Sequence, residues 1–334
     1  MSVSTKAPWL ATTMLCGVVG ASFLPASAYA GDPLLFSPTP IAKYAPAVDG
    51  FNGKVEPFGG MLANRSVAGM QGALSFPLGG SLGLQLDAAF GNFDHRGFGN
   101  VAGHLFWRNP GQALFGLYTS HTIWDEYGGA YVGQVAGEGE YYIGRWTFQG
   151  IAGVEFGNRA SSTSWFTSVV PPGPGPFGVP GVITTSSFTS MFDVRTRFFD
   201  QINVKYYLTD DWVGYVGHRY LGGKNALALG SEYAFPIANK FKATAFFEAR
   251  VGEGDFQGIW GGLKFYFGQK DKPLIARHRQ DDPNIWSVDT LFSIINSQTN
   301  SSTSNSTEFC HPPATPFEGS CESSVGFLGT AGPK

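Results

Sequence analysis

Charge is scarce in this sequence. Only 14% of its 334 residues are Asp, Glu, Lys or Arg, against roughly 25% in an ordinary soluble domain, which is too few to clothe a soluble surface of this size. There is no run of Lys or Arg, and 22 basic residues against 25 acidic ones leave a net charge of -3. That removes the electrostatic footprint of a nucleic-acid binder. Long apolar runs are missing too, since no stretch reaches the roughly 18 consecutive apolar residues of a membrane-spanning helix. Cysteine is nearly absent, with three in the chain, so no disulfide-rich scaffold is encoded. The abundant residues are glycine (46), phenylalanine (29), tyrosine (13) and tryptophan (8), in a chain that is 43% hydrophobic. Apolar content at this level excludes a disordered chain, and its dispersal excludes membrane helices. A membrane β-barrel, built from short alternating strands, passes both tests.

Residues 1–30 have the plan of a secretory signal peptide: Lys6, an apolar run of about sixteen residues from Trp9 to Leu24, then Pro25 and the small-residue pattern Ala28-Tyr29-Ala30. Cleavage there starts the mature chain at Gly31 and removes Cys16. The other two cysteines, Cys310 and Cys321, stand eleven positions apart. In an oxidising compartment they form a disulfide or stay as two free thiols. His311 is the one further ligand beside them, so no metal site is expected.

The mature chain divides into an irregular Pro-rich segment at 31–47, a patterned region at 48–268, and a polar, largely disordered periplasmic tail at 269–334. The tail holds a Ser/Thr/Asn tract at 297–307, and 284–292 has the pattern of a short helix. Within 48–268, period-2 alternation bounded by turn residues predicts twelve strands, near 49–60, 67–78, 81–91, 99–108, 112–123, 130–143, 145–157, 197–208, 212–221, 225–235, 241–252 and 256–268. Between Phe241 and Val251 every charge falls on an even position, while the odd ones are Phe, Ala, Ala, Phe, Ala and Val. The strands at 112–123 and 212–221 are ambiguous in phase.

A soluble sandwich alternates in the same way; charge poverty, aromatic placement and the connections favour the barrel. Trp107, Trp124, Trp146, Trp212 and Tyr233 lie near strand ends, where interfacial girdles sit. With the N-terminus in the periplasm, every even-numbered connection is short, and the one long connection, 158–196, falls outside. Taking the polar faces as inward lines the lumen with Lys54, Glu56, Asp87, His104, Glu138, Glu140, Glu155, Lys205, Glu232, Lys242, Glu248, Arg250 and Lys264. Small inward residues, Gly83, Ala89, Ala136, Ala226 and Ala228, leave room in a twelve-stranded tube and favour a narrow pore over a filled plug.

The strand Gly258-Ile259-Trp260-Gly261-Gly262-Leu263-Lys264-Phe265-Tyr266-Phe267 has alternating apolar residues and a final aromatic. With the strand pattern before it, the chain resembles the porin-like outer-membrane β-barrel proteins of Gram-negative bacteria across 48–268. The resemblance implies an all-β, transmembrane antiparallel up-and-down barrel of about 12 strands in the cell outer membrane, surrounded by outer-membrane lipid, with the final strand recognised by the barrel-assembly machinery.

The function expected from these features is a porin-like channel for small polar solutes, without cofactor, metal or nucleic acid. The alternative is a non-transporting structural or adhesive barrel presenting the 158–196 loop, and an outer-membrane hydrolase comes third. An enzyme is not expected. His104, His121 and His218 lie on separate strands, and Ser120 points to the opposite face from its neighbour His121. Asp94-His95 and Asp125-Glu126 fit turns better than catalytic pairs.

Overall fold

The computed structural model describes residues 45–126, 128–170, 181–236, 242–268, 272–310 and 321–324. The signal segment with Ala28, Ala30 and Gly31 lies outside the described residues. Seven strands come first: β1 (Asn52–Leu62), β2 (Arg65–Gly79), β3 (Leu82–Phe93), β4 (Arg96–Asn109), β5 (Ala113–Trp124), β6 (Ala130–Ile143) and β7 (Trp146–Gly157). A hairpin of β8 (Arg159–Val170) and β9 (Gly181–Asp193) follows. Then come β10 (Arg197–Thr209), β11 (Trp212–Leu221), β12 (Lys224–Pro236), β13 (Lys242–Gly252) and β14 (Gln257–Phe267). Strands β1–β7 and β10–β14 form a closed antiparallel barrel in which β7 pairs with β10 and β1 seals against β14. These are the twelve strands that the alternation predicts.

Closure turns the period-2 pattern into an inside and an outside. On β3, Leu82, Leu86 and Phe90 are exposed while Gln85, Asp87 and Ala89 are buried. The other barrel strands likewise leave large apolar side chains outside, among them Phe115, Leu117, Ile202 and Phe247. An apolar belt around a sheet without edges is a lipid-facing surface; this is a membrane barrel of the outer-membrane type. Trp107, Trp146, Trp212 and Tyr233 stand on its outside near the barrel's terminal end, where Trp146 packs on Tyr206 at 4.6 Å and Trp212 meets Tyr233 edge-on at 6.3 Å. Trp124 does not join them. It is fully buried and points inward, in phase with Tyr118, Ser120 and Thr122, and its Nε1–H donates to the Phe93 carbonyl.

One rim, here the near rim, carries both ends of the barrel and the turns after β2, β4, β6, β10 and β12. Tight hairpins at the far rim place two successive residues at positive φ, Ala63-Asn64, Asp94-His95 and Gly222-Gly223, the backbone twist that two-residue hairpins need. Gly222 has a second constraint, because a Cβ there would run into the Asn296 side chain.

The described residues of the 158–196 segment form a β-ribbon, not a loop. β8 and β9 continue the β7–β10 ladder beyond the far rim through twelve register pairs, from Arg159↔Asp193 to Val170↔Val182. Its Thr, Val, Ile, Trp and Phe content suits strands, and Thr163 and Thr189 join across it through their hydroxyls at 3.0 Å. At its base Arg159 donates to Asp193 at 3.0 Å, and this hydrogen bond holds the Asp193 carboxyl below its ordinary range.

The largest departure from expectation is the tail. Instead of hanging disordered beneath the barrel, its residues 274–297 re-enter it. Helix α1 (Leu274–Gln280) sits at the near rim, the chain passes up the lumen, and helix α2 (Ser287–Asn296), with every residue buried, ends at the far rim. Strand β15 (Gln298–Cys310), which includes the Ser/Thr/Asn tract, then pairs along β9, and β16 (Cys321–Ser324) folds back on it, giving a sheet of order β16-β15-β9-β8. A polar tract cannot collapse alone, but an existing strand edge satisfies its backbone whatever its side chains are. In the lumen, Ala89, Ala136 and Ala226 pack in one cluster with Leu291 and Phe292 of α2. The room left by small residues is filled by a helix.

Because every strand of the barrel is paired on both sides, it should resist detergent until heated. Unboiled, refolded protein is expected to migrate differently from boiled protein on a denaturing gel, and equal mobility would contradict the closed sheet.

Candidate functional site: the occupied lumen

The lumen wall is built by alternate residues of twelve strands, and its charges are met in two ways. Some meet each other. His104 sits between Asp87 (Nε2 to Oδ2, 3.0 Å) and Glu138 (Nδ1 to Oε2, 2.7 Å), all three buried. Lys264 bridges Glu232 at 3.0 Å and Glu56 at 3.6 Å. Glu140 accepts from Tyr142 and Gln149, and Tyr215 donates to Glu248 at 2.7 Å. Lys242, partly buried at the near rim, pairs with Asp211.

The others are met by the C-terminal segment, the strap at 274–297. Near the entrance, the Leu274 amide donates to the Asp211 carboxylate at 2.9 Å and the Ile275 amide to the Asp210 carbonyl at 3.0 Å. His278 reaches the hydroxyls of Tyr207 and Tyr266 at 3.0 and 3.2 Å, and Arg279 lies over the Tyr142 and Tyr207 rings. Midway, Asp282 pairs with Lys54 at 2.9 Å and Asn284 accepts from Lys205 at 3.3 Å. In the far half, Asp289 takes two hydrogen bonds from Arg250, both 2.7 Å, and one from Arg219 at 3.1 Å. Glu155 accepts from the Ser293 hydroxyl at 2.6 Å and pairs with Arg197, which also donates to Ser297. Thr290 and Thr122 share a hydroxyl contact at 2.6 Å, and Asn296 donates to the Leu221 carbonyl at 2.9 Å.

These contacts, together with His278 at 3.7 Å from Glu232, bring Lys54, Glu155, Lys205, Glu232 and Arg250 of the expected lumen set onto the strap, with Lys242 and Glu248 beside it. The complementary half, Arg219, Asp282 and Asp289 together with His278 and Arg279, lies outside the set that the strand alternation places in the lumen. Arg219 lies on a strand of ambiguous phase. The two aspartates lie in a tail whose composition signals solvent. Arg108 was missed as well; buried at the near rim over the Phe106 ring, its guanidinium has no hydrogen-bond partner among the described residues.

The strap leaves little space. The cavity between residues 278–284 and the wall around Lys205 and Lys264 measures about 40 Å³, room for a few waters and no more. In this conformation the polar wall is a binding surface for the chain's own segment.

No protein-family model matches this sequence, and none of the curated proteins is detectably similar to it. Among solved structures, the barrel is similar to the CymD monoaromatic hydrocarbon channel, at 7% identity over 67% of this chain and 89% of that one, with a TM-score of 0.35. It is also similar to the outer membrane protein Omp33 of Acinetobacter baumannii, at 11% identity over 67% and 98% with a TM-score of 0.32. The β domain of the Bordetella autotransporter BrkA gives 12%, 65% and 98%, with a TM-score of 0.31. The likeness is to the barrel and extends to no ligand.

Replacing one partner of a buried charge cluster leaves the others unpaired, which costs about 3–5 kcal/mol. Asp289→Asn should therefore loosen the strap while the barrel still shows heat-dependent mobility. Protease cleavage within 281–297 and intermittent conductance in a planar bilayer are the expected readouts. Truncation after Gln269 should give steady conductance from an assembled barrel.

Proposed function

We propose that this chain is a surface-presenting outer-membrane barrel: a membrane anchor that carries its own C-terminal segment through the lumen and joins it to an external β-sheet. The observation that carries this reading is the path of the strap, which enters at the near rim beside Asp210 and Asp211, leaves at the far rim beside Leu221 and delivers β15 to β9. The far rim is the external one in this reading, because it bears the long β8–β9 extension, and in barrels of this type the long connections are extracellular. Export begins with residues 1–30, and the closing strand β14, ending in Phe267, is the signal for the barrel-assembly machinery. The reading assigns the chain no catalytic step. His121 faces outward to the Tyr131 hydroxyl while Ser120 turns inward to Gln134, and His218 faces outward to Asp200 and Asn225.

A second reading, a channel for small polar solutes, is favoured by the charged wall that a departing strap would uncover. Under that reading full-length protein opens in response to some condition, whereas an anchor stays closed. Full-length protein in a planar bilayer is expected to be silent where the chain truncated after Gln269 conducts.

The direct test is topological. In a chain with Cys310→Ser and Cys321→Ser, a Ser306→Cys substitution on β15 should react with a membrane-impermeant maleimide on intact cells. Labelling that requires prior permeabilisation of the outer membrane would place the tail inside and defeat the reading. With the native cysteines kept, the register sets Cys310 directly opposite Cys321. Adjacent partners on antiparallel strands lie within disulfide reach, so material from the oxidising side is expected to shift on a gel when reduced.

A further inference from the structure

Resting on that reading, we infer that the free edge of β8 is a homotypic adhesion site, which pairs antiparallel with β8 of a second copy of this chain in a facing membrane. Three observations carry it. β8 ends the external sheet, and among the described residues no strand lies along its outer side. The neighbour of β7 in the barrel wall, β6, is reached from β5 through a connection at the far rim, so that wall stops where β8 continues.

The edge also lacks the devices that proteins use to keep an exposed strand from pairing. Lysines, prolines, bulges and short length are the usual ones. β8 is twelve residues long without a Lys or Pro, has its single charge, Arg159, at the base, and pairs with β9 without a register shift. Toward the tip it exposes Trp165, Phe166, Val169 and Val170, with Trp165 68% and Phe166 66% open to solvent. These residue types favour strand pairing. The other edge of the same hairpin shows what it accepts, since β9 has taken up β15 through eleven register pairs.

Geometry selects the partner. β8 runs outward from the barrel, following β7, so two copies side by side in one membrane present parallel β8 strands. Copies on facing membranes are related by a two-fold axis across the strands, which sets the two β8 edges antiparallel. A two-fold contact uses the same patch on both molecules, and antiparallel pairing is the better bonded of the two. With the pairing centred, Phe166 lies opposite Thr163 of the second copy, an aromatic and β-branched pair of the favourable kind. Neither copy has a side-chain charge in the outer two-thirds of the strand to oppose contact.

The test uses the full-length chain on intact cells of a Gram-negative host, in two populations marked with different fluorescent proteins. When both populations produce the chain, mixed clusters should form; when one does not, its cells should stay out of them. Phe166→Lys and, separately, Thr167→Pro should each cut mixed clusters by about tenfold, with Ser306→Cys labelling and heat-dependent mobility unchanged. Capture of non-producing cells would identify a different surface molecule as the partner and overturn the proposal. So would clusters that ignore both substitutions, or no clusters from cells whose Ser306→Cys site is labelled. Failure of that labelling overturns the presentation reading instead.

Discussion

A charge inside a closed tube is costly to leave unpaired, and much that is distinctive about this molecule follows from how that cost is met. A strand that turns its apolar side chains to lipid turns its polar ones inward, where some charges pair across the wall, as Lys264 does with Glu232 and Arg250 with Glu248, and others depend on the strap. Arg219 and Arg250, on β11 and β13, cannot neutralise each other. Asp289 resolves both at once, and it can do so only because the chain returns to the lumen after closing it. The aspartate is weak evidence of added stability as such, since buried ion pairs roughly offset their own desolvation. What it supplies is position: α2 has one depth in the tube at which both guanidiniums are met.

Once that depth is fixed, the far end follows. The strap leaves the barrel at Ser297, beside Arg197 and the start of β10, next to the exposed side of β9. Two of the longest features of the chain, the ribbon after β7 and the polar tail after β14, thereby become one sheet. The β9 edge ceases to be open, and the Ser/Thr/Asn tract gains a ladder that its composition could not give it.

The barrel was largely legible because its rule is local. In β13 the charges at even positions and the apolar residues at odd ones report the two faces directly, and closure of the sheet preserves that report. Trp124 was misplaced because β5 mixes Ser, Thr and aromatic residues on one face and so does not declare its phase until its neighbours are in place. The strap was illegible for a different reason. An inward Arg250 looks the same whether it will face water or Asp289, 39 positions away, and small residues such as Ala136 and Ala226 describe a space without naming its occupant. The helix near 284–292 could be seen in the pattern; the compartment that holds it could not. Disorder was inferred for 297–307 from side chains, while its order comes from the backbone.

The register of β15 on β9 also has a mechanical meaning. The two strands run side by side and are anchored at the same rim, β9 by continuity into β10 and β15 by continuity into α2. A tension applied at the outer end of β15 slides it lengthwise against β9, so the rungs of the ladder share the load and must fail together instead of unzipping one by one. Behind them the strap bears the same pull through Asp289 and Ser293, whose partners belong to a wall held on all sides by lipid. Force on the sheet of β8, β9, β15 and β16 is thus spread over a cylinder of twelve strands rather than concentrated on a single loop.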